Sequence, residues 1–239
     1  TASQPGADMA FSQQIKAAQE NARAQSLWPA AGADSSTVSW IEELRVEGSL
    51  SQEYLASVLD SYYGFWGANT DTEGGMGGIY AAQTREEVES KDPMGYATVG
   101  NYFNPVITYM ARIDSKLQGD FSMSFDTNRP YTHKSRYLVN VQLTGDLNSN
   151  LIGNQHDNIL AGNSGTNTLD GKEGEDAAIF SGDYDEYSIN ITDDEILVQD
   201  SVAARDGVTT LSNIEYVLFN EQWYQLDEGE LVKADEEPD

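Results

Sequence analysis

The chain has 239 residues, 40 Asp and Glu against 13 Lys and Arg, a formal net charge of -27 and no cysteine. Disulfides and thiolate metal centres are therefore excluded. So strong a negative charge repels phosphate backbones and anionic lipid, which argues against nucleic-acid partners and for cations. The charge is also uneven: residues 1–139 carry 17 acids and 10 bases, whereas residues 140–239 carry 23 acids and 3 bases. That asymmetry predicts two units with different jobs, the second needing counter-ions to stay compact. No apolar run of membrane-spanning length occurs, so membrane insertion is not expected. A chain opening on Thr1 in place of Met reads as a processed or trimmed product.

Taken in order, residues 8–28 are rich in helix formers, with Asp8 as N-cap and Ile15, Ala18, Ala22 and Leu27 as a partial apolar stripe. Pro29 and Gly32 break it. A second helix is expected over 36–47, with Val38, Ile41 and Leu44 on one face and Gly48 as its stop. A third is expected from Ser51, burying Tyr54, Leu55, Val58 and Leu59. The aromatic cluster Tyr62, Tyr63, Phe65 and Trp66 is read as core rather than as a sugar-stacking platform. A glycine-rich loop follows at Gly74–Gly78. Residues 84–90 read as an acidic helix, residues 97–116 as a helix with Pro105 in its first turn, and residues 119–126 as a strand. From Tyr137 onward helical periodicity disappears and Gly, Asn and Asp recur. Strands are expected at 177–180, 187–191, 196–198, 214–219 and 223–226.

Motifs of chemistry are scarce. There are two histidines, His133 and His156, and neither H-E-x-x-H nor G-x-S-x-G occurs, so no catalytic residue is assigned. His133 sits in the most basic patch and is read as a junction residue; His156 replaces a turn glycine. Asn69–Gly74 opens like an EF-hand loop, but its twelfth position is Tyr80 where Glu is required, so a plain acidic loop is the better reading.

The segment 145–179 repeats itself. Written from each leading glycine it reads G-D-L-N-S-N-L-I, G-N-Q-H-D-N-I-L-A, G-N-S-G-T-N-T-L-D and G-K-E-G-E-D-A-A-I. A fixed period this short marks a β-solenoid. Glycine lets the chain turn, position six points into the turn, and position eight (Ile152, Leu160, Leu169, Ala178) faces a narrow core. The pattern resembles the RTX nonapeptide G-G-x-G-x-D-x-U-x of type I secreted bacterial proteins. The segment running from A-A-I-F-S-G-D-Y to T-L-S-N-I-E-Y-V-L-F resembles the β-rich cap that follows such repeats.

The resemblance implies a parallel β-roll with calcium between successive turns, held by position-six side chains and turn carbonyls. Here position six is Asn150, Asn158, Asn167 and Asp176. Alternating turns would place Asn158 with Asp176 on one edge and Asn150 with Asn167 on the other, the first pair being the better calcium site. The competing reading is an asparagine ladder whose amides satisfy the turn backbone without metal.

The resulting expectation is an α+β protein. A mainly helical domain over 1–136, of unknown activity, precedes a short RTX-like parallel β-roll over 137–239 with a β-strand cap and an acidic tail. Functionally, an extracellular bacterial protein is expected. Its C-terminal half would be a calcium-binding, secretion-linked module, and its N-terminal half would bind an extracellular protein or carbohydrate. The alternative is the C-terminal part of a larger secreted hydrolase or metallopeptidase with its catalytic motif outside this chain.

Overall fold

The computed structural model describes residues 9–69, 74–192 and 195–234. The N-cap expected at Asp8, positions 70–73 of the EF-hand-like loop and the acidic tail from 235 lie outside the described residues. The chain divides into two compact units, Thr1–Pro105 and Val106–Asp239. Residues 106–136, assigned from sequence to the helical domain, thus belong to the second unit.

The first unit is helical: α1 (Met9–Ala24), α2 (Ser35–Glu47), α3 (Leu50–Tyr62), α4 (Arg85–Lys91) and α5 (Pro93–Tyr102). Local chemistry sets these boundaries. The Asp34 side chain accepts from Thr37 N (2.8 Å) to start α2, and Gly48, at φ 75°, ends it by donating to Leu44 O. Asp92 caps α5 by accepting from Gly95 N (3.1 Å), with Pro93 in the first turn. Asp92 is fully buried, and its other carboxylate oxygen accepts from Tyr54 (2.7 Å) and Tyr80 (2.9 Å). Burial and the Asp92 charge together push both phenols far above their ordinary value. Ile15, Ala18, Ala22, Ile41, Leu44, Tyr54, Val58, Val88 and Val99 form the core, with Trp28 and Tyr80 from the connections. Of the aromatic cluster, Tyr62 joins this core but Phe65 is 55% exposed.

The helix expected over 97–116 forms only as far as Tyr102 and begins earlier, at Pro93. Helix α5 stops at Tyr102, because Pro105 supplies no backbone donor and biases Asn104 away from helical angles. Beyond it Ile107 bridges Leu138 in parallel and the chain enters its first strand.

The second unit is two sheets. One holds β1 (Ala111–Arg112), β3 (Asn140–Gln142), β5 (Ile159–Ala161), β7 (Ala177–Phe180), β11 (Tyr216–Phe219), β12 (Gln222–Asp227) and β13 (Glu230–Lys233), adjacent in that order. The other holds β2 (Gly119–Ser122), β4 (Ser149–Ile152), β6 (Thr166–Asp170), β10 (Val208–Ser212), β9 (Ile196–Asp200) and β8 (Tyr187–Ile191). A short helix, α6 (Thr132–Ser135), precedes β3 and carries His133, whose ring lies edge-on to Phe125.

These two mixed sheets of seven and six strands, mostly parallel, make an α/β fold. They correct the α+β reading of a short parallel β-roll followed by a separate β-strand cap. The parallel strands begin well before residue 137. The antiparallel strands lie within the same sheets, β9 pairing with β10 and β12 with β11. An unpaired strand edge is a row of open N–H and C=O groups, and here the hairpins pair with it directly.

Between the sheets lies a narrow core of Val141, Leu160, Ala178 and Val217 from one side and Leu151, Leu169 and Leu211 from the other, closed by Phe180, Phe219, Tyr187 and Tyr224. Leu151, 1% exposed, takes the core position expected for Ile152, and it pairs with Leu169. The first repeat is therefore nine residues beginning at Thr144, and its position six is Ser149. Counting from Gly145 shifted that unit by one residue, which in a strand turns every side chain to the opposite face. Among the described residues no helix is long and apolar enough to cross a membrane.

Candidate functional site

Three consecutive turns share a sequence frame, and the third departs from the asparagines that the other two share at positions two and six. Residues 153–158 link β4 to β5, residues 162–165 link β5 to β6, and residues 171–176 link β6 to β7. The first and third therefore stack on one edge and the second lies on the other.

The first two turns close themselves with amides. In the first, Asn154 N donates to Asn158 Oδ1 (2.9 Å) while Asn158 Nδ2 donates back to Asn154 Oδ1 (3.1 Å). Asn154 Nδ2 also donates to Leu138 O (2.9 Å), and His156 N donates to Asn154 Oδ1 (3.0 Å). The second turn repeats the pattern. Asn163 N donates to Asn167 Oδ1 (2.8 Å), Asn167 Nδ2 to Asn163 Oδ1 (3.0 Å), Asn163 Nδ2 to Leu147 O (3.0 Å) and Gly165 N to Asn163 Oδ1 (2.8 Å). Each asparagine meets its neighbours as donor and acceptor, so the buried turn backbone is satisfied.

The third turn has Lys172 where its sisters have Asn154 and Asn163, and Asp176 where they have Asn158 and Asn167. Lys172 adopts φ 80°, and its ammonium pairs with Asp170 (2.8 Å) at the protein surface. Asp176 is fully buried. Its Oδ1 accepts from Asn158 N (2.7 Å), and its own N donates to Glu215 Oε2 (2.8 Å), which makes a ladder Asn158–Asp176–Glu215 across three strands. Its Oδ2 has no hydrogen-bond partner among the described residues. A Cβ added to Gly171 would collide with both Asp176 Oδ2 and Asn213 O, so glycine lets these two oxygens lie against the turn.

Burial pushes the Asp176 carboxyl up to about 7, outweighing the bond from Asn158 N; the charges of Glu215, Asp157 and Asp170 push it the same way. An unpartnered buried carboxylate oxygen is destabilising by several kcal/mol when ionised. It is relieved by a proton or by a cation. Among the described residues no group of three or more His, Asp or Glu is arranged to hold a metal. A cation at this edge would therefore rest on Asp176, with Glu215 and the Asn213 carbonyl as the neighbouring oxygens. An all-oxygen set suits a hard cation such as calcium.

Of the sequence-predicted residues, the structure brings Asn158 and Asp176 together in direct register. It separates Asn150 from Asn167. Asn150 pairs across β4 with Asp120, to which its Nδ2 donates (2.9 Å), and its Oδ1 accepts from Thr168 N (3.0 Å). Asn167 instead aligns with Ser149 and Thr209, its Nδ2 donating to Ser149 O (2.9 Å). Glu215, Asn154 and Asn163 were missed. Glu215 was findable: it stands two residues before buried Val217, as Asp176 stands two before Ala178 and Asn158 two before Leu160.

Comparison with protein-family models, curated proteins and solved structures gave no match to this chain.

Proposed function

We propose that the second unit is a calcium-responsive folding module of an exported, extracellular bacterial protein, and that Asp176 is the group through which it responds. The observation that carries this reading is the Asp176 Oδ2 atom, which is fully buried and lacks a partner among the described residues, in a residue whose Oδ1 accepts from Asn158 N and whose N donates to Glu215 Oε2. Calcium bound there would supply the positive charge that the turn otherwise lacks. Asp176 would hold it as a full ligand, Glu215 would add charge, and Asn158 N would keep Oδ1 fixed so that Oδ2 faces the ion.

The net charge of -20 over residues 140–239 supports the reading, and so does the RTX-like nonapeptide pattern proposed for residues 139–226. A chain with no preformed site in its unfolded state converts binding free energy into folding free energy. Scarce calcium inside the cell would leave the segment unfolded for export, and abundant calcium outside would fold it. The test is thermal unfolding at pH 8 in EDTA and in millimolar calcium. Calcium at about 100 times its dissociation constant adds about 2.7 kcal/mol, so a clear rise in Tm is expected; an unchanged Tm removes calcium from the function.

A further inference from the structure

Resting on that reading, we infer that Lys172 is a tethered counter-ion of the Asp176 edge and sets the calcium concentration at which the unit responds. Three observations carry this. Lys172 is one of only three basic residues after position 139, the others being Arg205 and Lys233. Arg205 is held by Glu186 and Asp200 in the β9–β10 connection. Lys172 instead lies in the turn that contains Asp176, with its ammonium 2.8 Å from Asp170 Oδ2. Asp170 is in turn one of the charges that acts on Asp176, and its Oδ1 accepts from Asn213 Nδ2 (2.7 Å), so Asp170, Asn213 and Asp176 form one neighbourhood.

The position also departs from its two sisters. Asn154 and Asn163 turn inward and close their turns, whereas Lys172 sits at a left-handed φ of 80° and sends its side chain out of the turn to Asp170. Only a few per cent of non-glycine residues adopt such a φ, and lysine lacks the short polar side chain that favours it in Asn. The conformation therefore comes with the ion pair and not with backbone preference. A fixed monovalent charge in this place has two opposite effects. It neutralises Asp170, one of the charges that acts on Asp176, when no calcium is present, and it repels an arriving divalent ion.

Lys172→Met separates these effects, because it keeps the aliphatic stem and removes only the charge. In EDTA at pH 8 the variant is expected to melt below the wild type. In a calcium titration followed by Tm it should respond at a concentration about three- to ten-fold lower than the wild type, with the gap shrinking in 0.5 M potassium chloride. A merely structural lysine would lower Tm in both conditions and leave the responding concentration unchanged, and that result overturns the inference. A wild type that ignores calcium overturns the calcium reading and this inference with it. A wild type that responds at the same concentration as Lys172→Met overturns this inference alone.

Discussion

The self-closed turn at Asn163–Asn167 and the turn at Lys172–Asp176 hold equivalent places in successive repeats but differ in backbone, Lys172 being left-handed at φ 80° where Asn163 is not, and in chemistry. In the first, two amides exchange donors and acceptors, and each oxygen has a partner. In the second, an acceptor-only carboxylate replaces an amide that could donate, and a lysine that leaves the turn replaces the amide that would have received it. These two changes, amide to carboxylate at position six and amide to ammonium at position two, turn a satisfied turn into one that requires a proton or a cation. The acidic composition of the region thus acts at a particular atom as well as through bulk charge.

The comparison is most sharply tested by pH. Asp176 titrates at about 7 in the folded protein against 3.8 for the ordinary carboxyl. Below pH 3.8 both states are protonated. Between there and pH 7 the unfolded chain releases a proton that the folded chain keeps, so stability falls as pH rises and levels off above 7. The expected loss in EDTA is of the order of 4 kcal/mol, read from chemical denaturation across pH 4 to 8. A flat profile would mean that Asp176 is not the stressed group.

Glycine substitutions come next. Gly171→Ala forces a Cβ into the Asn213 carbonyl and Asp176 Oδ2, and should lose about 3 kcal/mol. Gly162→Ala meets only side-chain atoms, with Asn167 Oδ1 nearest at 2.7 Å, and should lose about 1 kcal/mol. Equal losses would show that the two turns do not differ in how tightly oxygens crowd the glycine. Asn163→Ala strips Gly165 N and Leu147 O of their partner and should cost about 2 kcal/mol in denaturant melts, with or without calcium. The smallest effect is expected from Lys172→Asn. Unlike Lys172→Met it supplies a short amide able to donate to Asp176 Oδ2, and it tolerates the left-handed backbone. It should gain about 1 kcal/mol in EDTA and blunt the calcium response.

The sequence made part of this legible. The repeat over 153–179 placed Leu160, Leu169 and Ala178 in the core and Asn158 beside Asp176, because the nine-residue period carries position six and position eight together. It failed where the frame changed. Thr144 opens a repeat without glycine, so Asn150 was counted inward when it faces out of β4. It failed again at β11, where the chain returns to the same edge after a hairpin insertion, so that Glu215 lies outside the continuous count and shows itself only by standing two residues before buried Val217. The strands at Ala111–Arg112 and Asn140–Gln142 are too short for alternation to show. The partnerless state of Asp176 Oδ2 was not legible at all, since it depends on where the Lys172 side chain goes.

The most direct measurement is the melting temperature of wild type and Asp176→Asn at pH 8, each in EDTA and in millimolar calcium. An amide at 176 keeps the acceptor for Asn158 N and places a donor beside Asn213 O. Asp176→Asn is therefore expected to melt above the wild type in EDTA and to be indifferent to calcium, while calcium raises the wild type. If Asp176→Asn melts below the wild type in EDTA and calcium shifts both proteins equally, the buried carboxylate is not the responsive group, and the proposed function is wrong.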